Sequence, residues 1–121
     1  MAIKKNSYHP KDLLDLYDKL IKTIPQVERK GATMPYTSLN GHMFSFIAKD
    51  GSLGLRLPEE ARKKFLEKYK TKLCETHGIV LKEYVVVPDK LLKNTGELKS
   101  YFRLSFEYIK TLKPKPTRNK K

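Results

Sequence analysis

An Asp50-Gly51 pair between two strand-forming runs constrains this chain more than any other feature. Such a pair is a strong signal for a tight reversal between antiparallel strands. Before it, Met43, Phe44, Phe46 and Ile47 form a run rich in aromatic and β-favouring residues. After it, Leu53, Leu55 and Leu57 alternate, which puts them on one face of the return strand and Gly54 and Arg56 on the other. Residues 79–87, Ile-Val-Leu-Lys-Glu-Tyr-Val-Val-Val, form the most β-prone run of the sequence, and Pro88 fixes its end. The sheet that follows is antiparallel: a hairpin plus at least one further strand.

Helical patterns surround these strands. Leu13, Leu14, Tyr17, Leu20, Ile21 and Ile24 recur at spacings of three and four, with Pro10 and Asp12 at the start and Pro25 at the end, so a helix is predicted over residues 10–24. Pro58, Glu59 and Glu60 open a second helix, along which Ala61, Phe65, Tyr69 and Leu73 follow at spacings of four, with Gly78 closing that region. Asp89 can cap a short turn through Lys93. Thr95 can cap a last helix that carries Leu98, Tyr101, Phe102, Ser105, Phe106, Ile109 and Leu112 on its buried side. Between residues 26 and 41 the periodicity fails, and this long connection holds at most a short strand around residues 34–39. The predicted fold is α+β, a small antiparallel sheet packed against three to four helices. Residues 1–112 form a single domain, and residues 113–121, with two prolines and no apolar side chain, form a disordered basic tail.

At 121 residues, with seven tyrosines and five phenylalanines, the chain has material for one ordinary core. No apolar run approaches the ~20 residues of a membrane span, and the basic start leads into no signal-peptide core. A lone cysteine, Cys74, precludes an internal disulfide, so a cytoplasmic location is expected.

Charge points to partners. The formal net charge is +13, and the five basic residues of the tail leave +8 on the body. Lys63, Lys64, Lys68 and Lys72 are helix neighbours in the predicted second helix. Lys64, Lys68 and Lys72 would form a stripe opposite the core, to which Lys4, Lys5, Arg29, Lys30 and Lys70 add charge. With Lys113, Lys115, Arg118, Lys120 and Lys121 of the tail they are the candidate contacts to a polyanion. The plainer alternative is a solvated helix face, and no recognised nucleic-acid-binding motif accompanies the charge.

Other chemistries find little purchase. Cys74 and His77 have a C-x-x-H spacing, but a structural zinc site needs four ligands, and neither His9 nor His42 sits in a paired spacing. No serine or cysteine lies in a pattern that offers a base and an orienting group. Asn40-Gly41, Asp50-Gly51 and Gly31 are separate turn signals, not a phosphate-cradling loop. No metal, cofactor or catalytic residue is assigned. The candidate specific site is instead the long polar loop with Arg29, Lys30, Met34, Tyr36, Thr37, Ser38 and Asn40, where a tyrosine sits beside two cations. The alternative there is packing of Met34 and Tyr36 against the sheet.

Several segments resemble the N-terminal domain of the TfoX/Sxy family: Met34-Pro35-Tyr36, the hairpin of residues 43–57, the run Lys82-Glu83-Tyr84-Val85-Val86-Val87-Pro88, and Ser105-Phe106-Glu107-Tyr108. The likeness spans residues 13–112. The family's Met-Phe-Gly-Gly-like segment before the hairpin is matched here only by Met34-Pro35-Tyr36 and the later Asn40-Gly41. The order of elements is also similar to that of the MmcQ/YjbR proteins, often proposed to bind DNA. The TfoX resemblance implies a regulatory role in bacterial competence through partners of the transcription machinery, without catalytic residues. Full-length members carry a second, C-terminal domain that this sequence does not contain, so that role is not expected to transfer. Three function classes follow: a non-catalytic binding or regulatory module acting through a protein partner, a weak non-specific nucleic-acid binder, and an enzyme holding a small substrate near residues 34–40. The sequence leaves monomer and homodimer equally open.

Overall fold

A computed structural model describes residues 10–31, 35–48, 51–76 and 78–113. The turn residue Asp50, together with Met34, His9, His77, Lys4, Lys5 and the tail from residue 114, lies outside the described residues. The described elements run α1 (Pro10–Ile21), β1 (Tyr36–Leu39), β2 (His42–Ile47), β3 (Leu53–Arg56), α2 (Glu59–Tyr69), β4 (Leu73–Thr76), β5 (Ile79–Val87), α3 (Asp89–Leu92) and α4 (Thr95–Lys110). The five strands form one antiparallel sheet in the order β1-β2-β3-β5-β4. The fold is therefore α+β, with the predicted hairpin as β2–β3, the predicted further strand as β5, and β1 and β4 in addition.

The first extra strand is the short one anticipated in the long connection. Asn40 and Gly41 have φ of 55° and 83°, so two left-handed residues join Leu39 to His42 in the tight reversal that an Asn-Gly pair favours. The register then slips: Thr37 pairs with Ser45 but Ser38 with Met43, leaving Phe44 as an extra residue of β2. Phe44 is fully buried, with ring centroids 5.5 Å from Phe102 and 5.9 Å from Phe106 of α4.

The second extra strand corrects the predicted helix. Periodicity carried that helix to Leu73, yet α2 ends at Tyr69. Lys70 takes the left-handed conformation (φ 51°, ψ 48°), and its N–H and that of Thr71 both return to the Leu66 carbonyl. The Thr71 hydroxyl then bonds the Val86 carbonyl at 2.7 Å, and Val86 N–H bonds Lys72 O at 2.8 Å, which turns Leu73 into the start of β4. Lys72 is consequently off the helix, and the predicted Lys64-Lys68-Lys72 stripe does not exist as a helical row.

Two smaller corrections concern helix ends. Helix α1 ends at Ile21; Lys22 N–H still bonds Asp18 O, tighter i to i−3 bonds from Thr23 and Ile24 finish the turn, and Ile24 is still buried. In α4 the cap is Asn94, not Thr95: Asn94 Oδ1 accepts from Glu97 N–H at 3.2 Å, and Thr95 is the first helical residue.

The core lies between the sheet and the helices. Leu53 and Leu55 of β3 pair with Val87 and Val85 of β5, and all four side chains are buried with Leu98, Phe102, Phe106 and Ile109 of α4. Tyr17 joins α1 to the sheet through a 2.6 Å hydrogen bond to Ser45, which also bonds Thr37 at 2.5 Å. On the opposite face a Cβ at Gly54 would fall 2.5 Å from Phe46 Cε1 and 2.9 Å from Cys74 Sγ. Phe46 meets Tyr84 edge-on there at 5.6 Å.

Candidate binding cleft at the first sheet edge

The chain leaves α1 and returns to the sheet edge at Lys30. Arg29 Nε bonds Asp18 Oδ1 at 2.7 Å, tying the returning segment to α1. Lys30 and Tyr36 exchange both main-chain bonds, at 2.8 and 2.9 Å, so one residue pairs with the outer edge of β1. Between this segment and the β1–β2 turn lies a half-open cleft of about 500 Å³. Gln26, Glu28 and Lys30 line one side, and Tyr36, Ser38, Asn40 and Met43 the other. Lys30 Nζ donates to Ser38 Oγ at 3.2 Å across it.

Four residues of the sequence-predicted loop, Lys30, Tyr36, Ser38 and Asn40, thus meet in one cleft. Of the other three, Thr37 and Arg29 are not among its lining residues. Thr37 is turned to the helix-covered face, where it is fully buried against Ser45, because successive strand residues alternate sides. Arg29 is held by Asp18, and Met34 lies outside the described residues. Gln26, Glu28, Leu39, Gly41 and Met43 line the cleft without having been singled out in the sequence. Gln26 and Glu28 belong to the same aperiodic connection, which was the available signal. Met43 reads as an ordinary strand residue and gave none.

Lys30 is solvent-exposed and shares the cleft with Glu28. What the cleft offers is one cation, one anion, two side-chain amides, a serine hydroxyl and the apolar surface of Tyr36, Leu39 and Met43. That mixture fits a polar segment with an apolar anchor.

The predicted polyanion contacts scatter. Lys64 and Lys68 are exposed on α2, Lys68 with its ammonium 5.3 Å from the Tyr69 ring centre, while Lys72 precedes β4. Glu59, Glu60 and Glu67 share α2 with them, and Glu59 pairs with Lys63 at 3.4 Å. Lys113 is exposed and its carbonyl accepts a 2.6 Å bond from His42 Nε2, so the chain enters its tail beside β2. Lys115, Arg118, Lys120 and Lys121 lie outside the described residues.

Cys74 sits buried on β4, a strand, and His77 lies outside the described residues. Among the described residues no group of three or more His, Cys, Asp or Glu is placed to hold a metal ion, and no helix is long and apolar enough to cross a membrane. Three tyrosines hold their protons firmly. Burial pushes the Tyr17 phenol well above its usual range, against the lowering effect of the nearby Ser45 and Thr37 hydroxyls. Burial raises Tyr84 too, opposed by Arg56. Desolvation and then donation to the Glu97 carboxylate raise Tyr69.

No protein-family model, curated protein or solved structure matches the chain. The TfoX/Sxy resemblance accordingly rests on the residues of the sequence alone.

Proposed function

We propose that this chain is a non-catalytic binding module of the TfoX N-terminal type that engages a protein partner through the cleft at the β1 edge. The observation that carries the reading is the convergence of Lys30, Tyr36, Ser38 and Asn40 on a half-open cleft of about 500 Å³. Its polar groups are one cation, one anion, two amides and a hydroxyl, alongside the apolar surface of Tyr36, Leu39 and Met43, a mixture suited to recognition. A partner segment would seat an apolar side chain against Tyr36 and Met43 and meet Lys30 with an acidic group.

The test is affinity capture from the host lysate with wild-type protein and with a Lys30→Glu/Tyr36→Ala variant of unchanged melting temperature. The reading predicts a protein retained by the wild type and lost by at least tenfold with the variant. Equal retention by both, or by neither, overturns it.

A second reading is supported by the basic surplus and by the exposed Lys64, Lys68, Lys72 and Lys113: weak, non-specific binding of nucleic acid. Fluorescence anisotropy of labelled duplex DNA and RNA, with the full chain and a 1–112 truncation at two salt concentrations, separates the two. Each phosphate contact on duplex DNA contributes a log–log salt slope of about 0.9. Steep binding that weakens on truncation favours the second reading. No binding at low salt removes it.

A further inference from the structure

We propose that the β4–β5 ribbon is a self-association surface, on which two copies of the chain pair antiparallel through the open edge of β5. Strand β5 is longer than either neighbour. On one side, β3 pairs with Tyr84–Val87, and Leu57 N–H adds a bond to Glu83 O. On the other, β4 pairs with Ile79, Val80, Leu81 and Val85. Among the described residues, the stretch from Ile79 to Lys82 therefore has no strand on its β3 side. A strand with one neighbour turns alternate N–H and C=O groups outward, where another strand can take them up.

The side chains of this stretch mark it as a contact. Ile79 is 64% exposed and Val80 48%, two adjacent members of the set of large exposed apolar residues. Proteins that keep strand edges solitary place charges, bulges or very short strands there. The β1 edge follows that practice, with four residues and the cation of Lys30 beside it. The open part of β5 has no charge before Lys82.

Electrostatics selects the occupant. Two copies at +13 repel, so they approach most readily where the local charge cancels. From Leu73 to Lys82 the ribbon carries one acid, Glu75, and one base, Lys82. A polyanion would be drawn to the lysines elsewhere and would gain little here. An antiparallel edge is also complementary to itself about a two-fold axis, so a second copy needs no further matching surface. Pairing centred on Val80 sets Ile79 of one copy against Leu81 of the other. The contact is far smaller than the ~800 Å² per partner of standard interfaces, so a dissociation constant on the order of 10–1000 µM is expected.

Sedimentation equilibrium of the full chain from about 10 µM to 1 mM reads this directly. The average mass should climb with concentration towards twice the 14.1 kDa of the chain. Added salt should strengthen the association by screening the mutual repulsion. Val80→Lys and Ile79→Lys, both at exposed positions and checked by melting temperature, should each weaken it at least tenfold. Leu104→Lys, at the exposed apolar position on α4, should leave it unchanged. A monomeric mass across the whole range overturns the proposal, as does an association that survives Val80→Lys and Ile79→Lys.

Discussion

Three hydroxyls in the core supply the sharpest test of the packing described above. Ser45 stands between Tyr17 of α1 and Thr37 of β1, at 2.6 and 2.5 Å, and Tyr17, Thr37 and Ser45 are all fully buried. The consequences of removing each group differ because an orphaned buried hydroxyl costs more than a lost neutral hydrogen bond gains. Tyr17→Phe deletes one bond and leaves Ser45 and Thr37 paired, so its cost should be about 1 kcal/mol. Ser45→Ala strands both remaining hydroxyls in the core, at about 1–3 kcal/mol each, and should cost roughly 2–6 kcal/mol in all. That is a large share of a typical stability of about 5–15 kcal/mol. The triple variant Tyr17→Phe/Thr37→Val/Ser45→Ala removes every hydroxyl while nearly preserving shape, and should be more stable than Ser45→Ala alone.

The assay is urea unfolding followed by circular dichroism, with constant slope as the condition for comparing midpoints. At this chain length about 1 kcal/mol corresponds to roughly 4 °C in melting temperature. The order of stabilities is the decisive result. If Ser45→Ala costs no more than Tyr17→Phe, or if the triple variant is the least stable of the three, the hydroxyls are not a closed network and the reasoning fails.

Other expectations follow from single contacts. Gly54→Ala should destabilise by about 1–3 kcal/mol through overpacking, since its Cβ would meet the buried Phe46 ring at 2.5 Å, and Phe46→Leu in the same chain should recover part of the loss in urea unfolding. Lys70→Gly should stabilise by roughly 0.5–1 kcal/mol in thermal unfolding, because the left-handed conformation at φ 51° suits glycine. Alkali should unfold the protein through its tyrosines. Below pH 10 both folded and unfolded chains keep these protons; above it the unfolded chain releases them while Tyr17 does not, so stability falls as pH rises by about 1.4 kcal/mol per unit for this group. Urea midpoints measured from pH 8 to 11 should lose that part of their slope in Tyr17→Phe.

What the sequence discloses and what it hides separate along a physical line. Features decided within a few residues are legible. Asn40-Gly41 announces its turn, Pro88 ends β5, and the three-and-four spacing of Leu98, Phe102, Phe106 and Ile109 gives α4 its buried face. The boundary between α2 and β4 is hidden because the apolar spacing of Phe65, Tyr69 and Leu73 suits a continuing helix. The stop is a lysine in a left-handed conformation that its residue type does not announce. What settles the boundary is long-range: Val86 needs a partner for its N–H, and Lys72 supplies the carbonyl.

The cleft divides in the same way. A long polar connection pointed to Lys30, Tyr36, Ser38 and Asn40, but equally to Thr37, which β1 turns to the other face beside Ser45. The exchange of bonds between Lys30 and Tyr36, which brings Gln26 and Glu28 round to oppose the turn, depends on the sheet edge being present and has no local signature. The open half of β5 is the complementary case. Its sequence reads as the strongest strand of the chain, and only the ladder shows that, among the described residues, its first residues have a strand on one side alone. Strand propensity without a full set of partners is what a solitary monomer would be expected to shed. Its presence at Ile79 and Val80, in a ribbon whose own charges cancel between Leu73 and Lys82, is accounted for when a second strand takes up that edge.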